Sequence, residues 1–240
     1  MGKVIMSGIV PQLTVPSAGT PISEFAVGST VKMNVNGTQK DFLIVHQGLP
    51  SSMYDSSCDG TWLLMKDIYE NRQWHSSNSN SYKASTIHSY LNSTFLGLFD
   101  SDIQAAIKEV KIPYVNGTGS GGSVASGSAG LNTKVFLLSG YEVGWTKSDS
   151  NYFPIDGSCL SYFNGMAVND SMRIGYLNGT AAFWWLRSPN TGTTLSTWSV
   201  MDNGYYYDGA GSASEYGVRP ALILPPTALV KDDGTVKGAA

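Results

Sequence analysis

Charge is scarce in this chain: Asp, Glu, Lys and Arg make up only 14% of its 240 residues, against about 25% in an average soluble domain. The formal net charge is −3 and no basic stripe is present, which excludes the phosphate-neutralising footprint of a nucleic-acid-binding domain. There are two cysteines, Cys58 and Cys159, too few for a disulfide framework or a zinc knuckle. They are two separate thiols or one disulfide. The longest apolar runs, such as 42–45 (FLIV) and 221–224 (ALIL), fall far short of the roughly 20 residues that cross a bilayer. No membrane insertion is expected. Residues 1–10 carry one Lys and no sustained apolar stretch, so no secretory signal is expected either. Three histidines, His46, His75 and His88, are scattered, and no spacing sets a Ser or Cys beside one of them for nucleophilic chemistry. The Gly-rich stretch 116–130 is not followed by Lys-Ser/Thr, so it is a loop or insertion and not a phosphate cradle.

Small polar residues and tyrosine take the place of the charges: Ser 31, Gly 27, Asn 14 and Tyr 13. This alphabet favours turns and hydroxyl-rich surface over long helices. Residues 1–26 carry Pro11, Pro16 and Pro21 with no helical or alternating period, and read as an extended arm. It is either a flexible leader or a device for homo-oligomerisation or particle attachment. Val31, Met33 and Val35 then alternate with polar residues, and Asn36-Gly37 leads into the run 42–45, which predicts a β-hairpin. A strand is expected over 62–65. Ile87, Tyr90, Leu91, Phe95 and Leu98 share one helical face behind Ser85, a ready N-cap. A second helix is expected at the capping box Ser101-x-x-Gln104, and another box, Ser139-x-x-Glu142, follows the short apolar strand 134–138. The remainder is loop-rich, with strands expected over 194–200 and 218–224. The whole reads as α+β: two helices, short antiparallel sheets and a loop-rich C-terminal half.

Four blocks carry a resemblance. Residues 184–189 (WWLRSP) and 217–222 (GVRPAL), preceded by 134–144 (KVFLLSGYEVG) and 82–95 (YKASTIHSYLNSTF), resemble in order the signature of a C-type-lectin-fold family found in bacteriophages, prophages and gut bacteria. The likeness spans about 27–224. It implies an N-terminal arm over 1–26 and a C-type-lectin-like domain over 27–240. The same fold serves the variable proteins of diversity-generating retroelements, among them phage tropism determinants, and the formylglycine-generating enzymes. In the variable proteins a hypermutated cassette near the C-terminus is displayed on one face. The matching segment here is 190–216.

That segment holds Ser, Thr, Asn, Gly, four tyrosines and Trp198, with Asp202, Asp208 and Glu215 as its only charges. Binding loops use these residues because Tyr and Trp offer large amphipathic area with few torsions to freeze, while Ser, Gly and Asn adapt their hydrogen bonding. Adenine-directed mutagenesis turns Asn-type codons into Tyr, Ser, Thr, Asp, Gly and Ala, which also fill this segment. The resemblance therefore implies a ligand-binding surface of Asn190, Thr191, Thr194, Ser196, Trp198, Tyr205, Tyr206, Tyr207, Asp208, Ser212, Ser214 and Tyr216. A Tyr-rich strand can also pack a sheet face, and Trp198 suits a core. Three successive strand residues cannot all face inward, so at least one of Tyr205, Tyr206 and Tyr207 is expected at the surface. Trp184, Trp185, Arg187 and Arg219 are expected to be scaffold, the arginines pairing with carboxylates or carbonyls. No catalytic residue, cofactor or metal site is assigned. Cys58 and Cys159 lie away from the C-terminal positions of the enzymes' thiol pair, and no liganding cluster goes beyond Asp202, Asn203 and Asp208. The implied role is recognition of a host-surface protein or glycan from a virion or a bacterial cell surface. A formylglycine-generating-type enzyme or its remnant, and an undiversified bacterial adhesin, are the alternatives.

Overall fold

The computed structural model describes residues 19–77, 79–116, 123–146, 152–167, 170–211 and 214–238. Its architecture grows from the hairpin Thr30–Val35 and Thr38–Gln47. Val31, Met33 and Val35 are buried, and the two-residue turn holds Asn36 at φ 52° and Gly37 at φ 71°, the left-handed geometry that lets a tight hairpin follow the strand twist. Around it a five-stranded sheet runs in the order Val135–Phe136, Ala221–Leu224, Thr61–Met65, Thr38–Gln47, Thr30–Val35. A second five-stranded sheet runs Tyr206–Ala210, Ser196–Val200, Trp184–Pro189, Glu215–Val218, Glu70–Gln73. Its pairings are antiparallel except the bridge Trp184 to Gly217. The fold is α+β with mostly short antiparallel strands.

The strand expected over 218–224 is broken. Glu215–Val218 ends in the second sheet and Ala221–Leu224 begins in the first. Pro220 brings no N–H to a ladder, and the Arg219 guanidinium at the junction donates to the Met65 and Lys66 carbonyls, both at 2.9 Å. The Arg-Pro dipeptide thus passes one strand between two sheets.

The first expected helix is one continuous helical run with three geometries: α over Thr86–Tyr90, π over Leu91–Phe95 and 3-10 over Leu96–Leu98. Ser85 Oγ accepts from His88 N at 3.1 Å as its cap, and Ile87, Leu91 and Phe95 are buried. Within the π turn, Asn92 ties the helix to the strand beside it, donating to the His88 and Val135 carbonyls and accepting from Lys134 N and Val135 N. The second helix is Ser101–Ala106, but its capping box does not form. Asp100 occupies the cap position, and Gln104 Nε2 donates instead to the Phe99 carbonyl at 2.7 Å.

The expected arm is shorter than 1–26 on its described side. Thr20–Pro21 pairs with Leu229–Val230, and Ile22 is fully buried in the same contiguous core as both sheets. Residues 1–18 lie outside the described residues. Both cysteines are free thiols, Cys58 buried and Cys159 exposed. Among the described residues no helix is long and apolar enough to cross a membrane.

Candidate functional site

The strand Trp184–Pro189 is buried along its whole length, and its polar side chains are hydrogen-bonded. Trp184 Nε1 donates to the Arg173 carbonyl at 2.9 Å and Trp185 Nε1 to the Arg72 carbonyl at 2.8 Å. Arg187 uses each of its five N–H groups. Nε donates to the Pro113 carbonyl at 3.0 Å, Nη1 to Leu137 O at 3.0 Å and to Glu142 Oε2 at 2.5 Å, and Nη2 to Glu142 Oε1 at 2.7 Å and to Asp156 O at 2.8 Å. Glu142 is equally committed. It accepts from Tyr54 Oη at 2.7 Å and from Ser139 N at 2.9 Å, while Ser139 Oγ accepts from Glu142 N at 3.2 Å. The Ser139-x-x-Glu142 box therefore forms reciprocally, and its carboxylate doubles as the counter-ion of Arg187. Arg219 lies under the same sheet, its guanidinium 4.9 Å from the Trp184 ring.

Asp156 completes this network as a buried carboxyl whose side chain is reached by one hydroxyl, Ser188 Oγ, at 2.9 Å from each oxygen. Burial pushes it up to about 7, against the pull of Arg187. In the unfolded chain the group titrates near 3.8. Between the two values the native protein holds a proton that the unfolded chain has shed, so stability falls as pH rises through that window. The contribution is complete below about pH 4 and lost above about pH 7, with a slope of at most about 1.4 kcal/mol per pH unit. Denaturant titrations at pH 4.5 and 7.5 check this: the difference between wild type and Asp156→Asn is expected to shift toward the variant at the higher pH. A pH-independent difference would refute it.

Upon this base, the strands Ser196–Val200 and Tyr206–Ala210 form the outer edge of the second sheet, while Glu215 and Tyr216 belong to the strand Glu215–Val218 between Trp184–Pro189 and Glu70–Gln73. Ser196–Val200 pairs antiparallel with Tyr206–Ala210, and the latter strand is the sheet's free margin. Successive side chains alternate between faces. Tyr206 is half-buried against Trp145, Phe153 and Trp198, whereas Tyr205 and Tyr207 are 36% and 42% exposed. Tyr205 stacks on Tyr206 at 4.4 Å, and Tyr207 lies near Phe183 and Tyr216. Thr194 and Asp208 are exposed, and Thr191, Ser196, Ser214 and Tyr216 half-buried. Two of the residues placed on the surface by the sequence lie inside instead. Trp198 is 4% exposed and stacks on Phe153 at 4.0 Å. Asn190 is 5% exposed, its amide donating to Asp208 Oδ2 and accepting from Gly192 N. Ser212 lies outside the described residues.

Sequence reasoning missed Asn80. This buried residue sits beneath the 190–196 loop and donates from Nδ2 to the carbonyls of Asn190, Thr193 and Ser196 at 3.0, 2.8 and 3.0 Å. One amide gathers three carbonyls of the loop, two of which, those of Asn190 and Ser196, also accept a backbone N–H within it. It also missed a histidine–hydroxyl pair: His46 Nδ1 lies 2.8 Å from Ser161 Oγ and accepts from Ser161 N at 3.3 Å. Among the described residues no carboxylate hydrogen-bonds that ring. His88 is pushed down to about 4 by burial and packs edge-on to Tyr82. Among the described residues no three His, Cys, Asp or Glu side chains cluster as metal ligands would.

The fold and this surface define an α+β domain in which a Tyr- and Ser-rich sheet edge overlies a buried Arg–Glu–Asp network. Residues 59–226 match a family described as a domain of unknown function, DUF6273, and the chain belongs to that family. No curated protein and no solved structure matches it. The matched span takes in the four sequence blocks and the segment 190–216.

Proposed function

We propose that this chain is a recognition protein of C-type-lectin fold, of the kind diversified by retroelements, that presents residues 190–216 to a host-surface protein or glycan from a phage particle or a bacterial surface. One observation carries the reading: Tyr205 and Tyr207 stand out on the free edge of a sheet whose interior is fixed by residues mostly outside the segment, namely Trp184, Trp185, Arg187, Glu142 and Asn80. Edge side chains can then change without disturbing what holds the backbone. Exposed tyrosines are suited to act as anchors in such a surface.

The reading is tested at two levels. A neighbouring reverse-transcriptase gene, with a second copy of the codons for 190–216 differing at adenines, is expected. In binding to intact host bacteria, Tyr205→Ala or Tyr207→Ala is expected to cost up to about 2 kcal/mol where the ring is an anchor, with the melting temperature unchanged. Normal binding by both variants would place the contact surface elsewhere.

A further inference from the structure

Against the second sheet lies a cleft of about 310 Å³, lined in part by Asn71. Ala181 and Ala182 line it and, ending at Cβ, leave it open. Two aromatic residues, Phe183 and Tyr216, also line it, their ring centroids 5.1 Å apart and tilted by 49°. Asp202, from the turn after Ser196–Val200, and Glu215, from the strand Glu215–Val218, are its acidic lining residues. Both are exposed, and among the described residues neither enters an ion pair or a side-chain hydrogen bond. Segment 190–216 contains no Lys or Arg to neutralise them. Arg72, on the adjoining strand Glu70–Gln73, is already occupied: its Nη2 lies 2.9 Å from Glu70 Oε1 and its guanidinium packs over Tyr90 at 3.8 Å.

Aromatic rings with unneutralised carboxylates in a concave site are the surroundings that attract an organic cation. The ring quadrupole and the carboxylates both favour positive charge, and a guanidinium can stack on a ring while donating to an acid. We propose that this cleft binds the basic side chain, arginine or lysine, of a protein partner. The inference rests on the recognition reading above and narrows its ligand from protein or glycan to a protein that presents a basic residue.

The experiment titrates the full chain with N-acetyl-arginine methylamide and with its neutral citrulline counterpart, following backbone amide resonances. Arginine is expected to bind at least about tenfold more tightly than citrulline, as one charge-assisted and cation–π contact predicts. Glu215→Gln and Asp202→Asn are each expected to weaken arginine binding severalfold, and the double variant to bring it to the citrulline level. Both positions are exposed, and unchanged thermal unfolding of the variants confirms that folding is intact. Equal binding of the two probes, or a double variant that binds arginine like wild type, would overturn the proposal. A chain that discriminates arginine from citrulline but binds host cells normally after Tyr205→Ala and Tyr207→Ala would uphold the cleft and overturn the surface reading.

Discussion

Arg187→Ala is expected to cost about 3–5 kcal/mol of folding stability, because it strips the partner from a buried charge. The guanidinium supplies two bonds to Glu142 and three to backbone carbonyls, of Pro113, Leu137 and Asp156. Its removal leaves the Glu142 carboxylate, which is fully buried, with Tyr54 and the Ser139 amide as its remaining donors among the described residues. Arg187→Lys is not expected to restore the loss, since an ammonium cannot reproduce a planar fork that meets a carboxylate at two points. The intact pair need not itself be strongly stabilising, because desolvation offsets much of the attraction. Against a typical domain stability of about 5–15 kcal/mol, the variant stands near the edge of folding. Urea titration of wild type, Arg187→Ala and Arg187→Lys measures this. A loss below about 1 kcal/mol for the alanine variant would show that water reaches Glu142 once the arginine is gone.

The parts of the fold legible in the sequence are those whose cause is local. The hairpin at Asn36-Gly37 follows from alternation and turn chemistry, the helix from Thr86 from a Ser cap and a period, and the reciprocal box at Ser139 and Glu142 from a three-residue spacing. What escaped was set by contacts distant in the chain. Arg187 and Glu142 are 45 residues apart, and Asn80 reaches carbonyls 110 to 116 residues away. A composition window sees Asn80 only as part of a Ser/Asn-rich loop. The split at Arg219-Pro220 could have been read from Pro220, which cannot donate to a ladder. Ser101-x-x-Gln104 failed because Asp100, one residue earlier, competed for the cap position, and such boundaries shift by a residue or two. At the candidate site, composition and the resemblance singled out 190–216, but they could not separate the exposed Tyr205 and Tyr207 from the buried Trp198 and Asn190. Strand alternation divides Tyr207 from Tyr206, Asp208 holds Asn190, and Trp198 is covered by the ring of Phe153, 45 residues before it in the chain.

Trp185→Ala is expected to cost about 3–5 kcal/mol, as removal of a large buried ring does, whereas Tyr205→Ala or Tyr207→Ala should stay within about 0.5 kcal/mol, as surface changes do. Trp185 is fully buried, its ring centroid 4.4 Å from that of Tyr216, and its indole N–H is held by the Arg72 carbonyl of Glu70–Gln73, the next strand but one in the sheet. Truncation therefore opens a cavity and also removes the donor from that carbonyl. Tyr206 falls between the two classes. Half-buried against Trp145, Phe153 and Trp198, it should lose about 1–3 kcal/mol on truncation, even though it lies in the same run as its exposed neighbours. Thermal and denaturant unfolding of the four variants ranks them. Comparable losses at Trp185, Tyr205 and Tyr207 would mean that the edge strand is part of the folding core, and a surface that must hold the fold together is not free to vary for binding. The predicted order, Trp185 well above Tyr206 and Tyr206 above its neighbours, instead assigns stability to the buried strand Trp184–Pro189 and leaves Tyr205 and Tyr207 open to selection for contact.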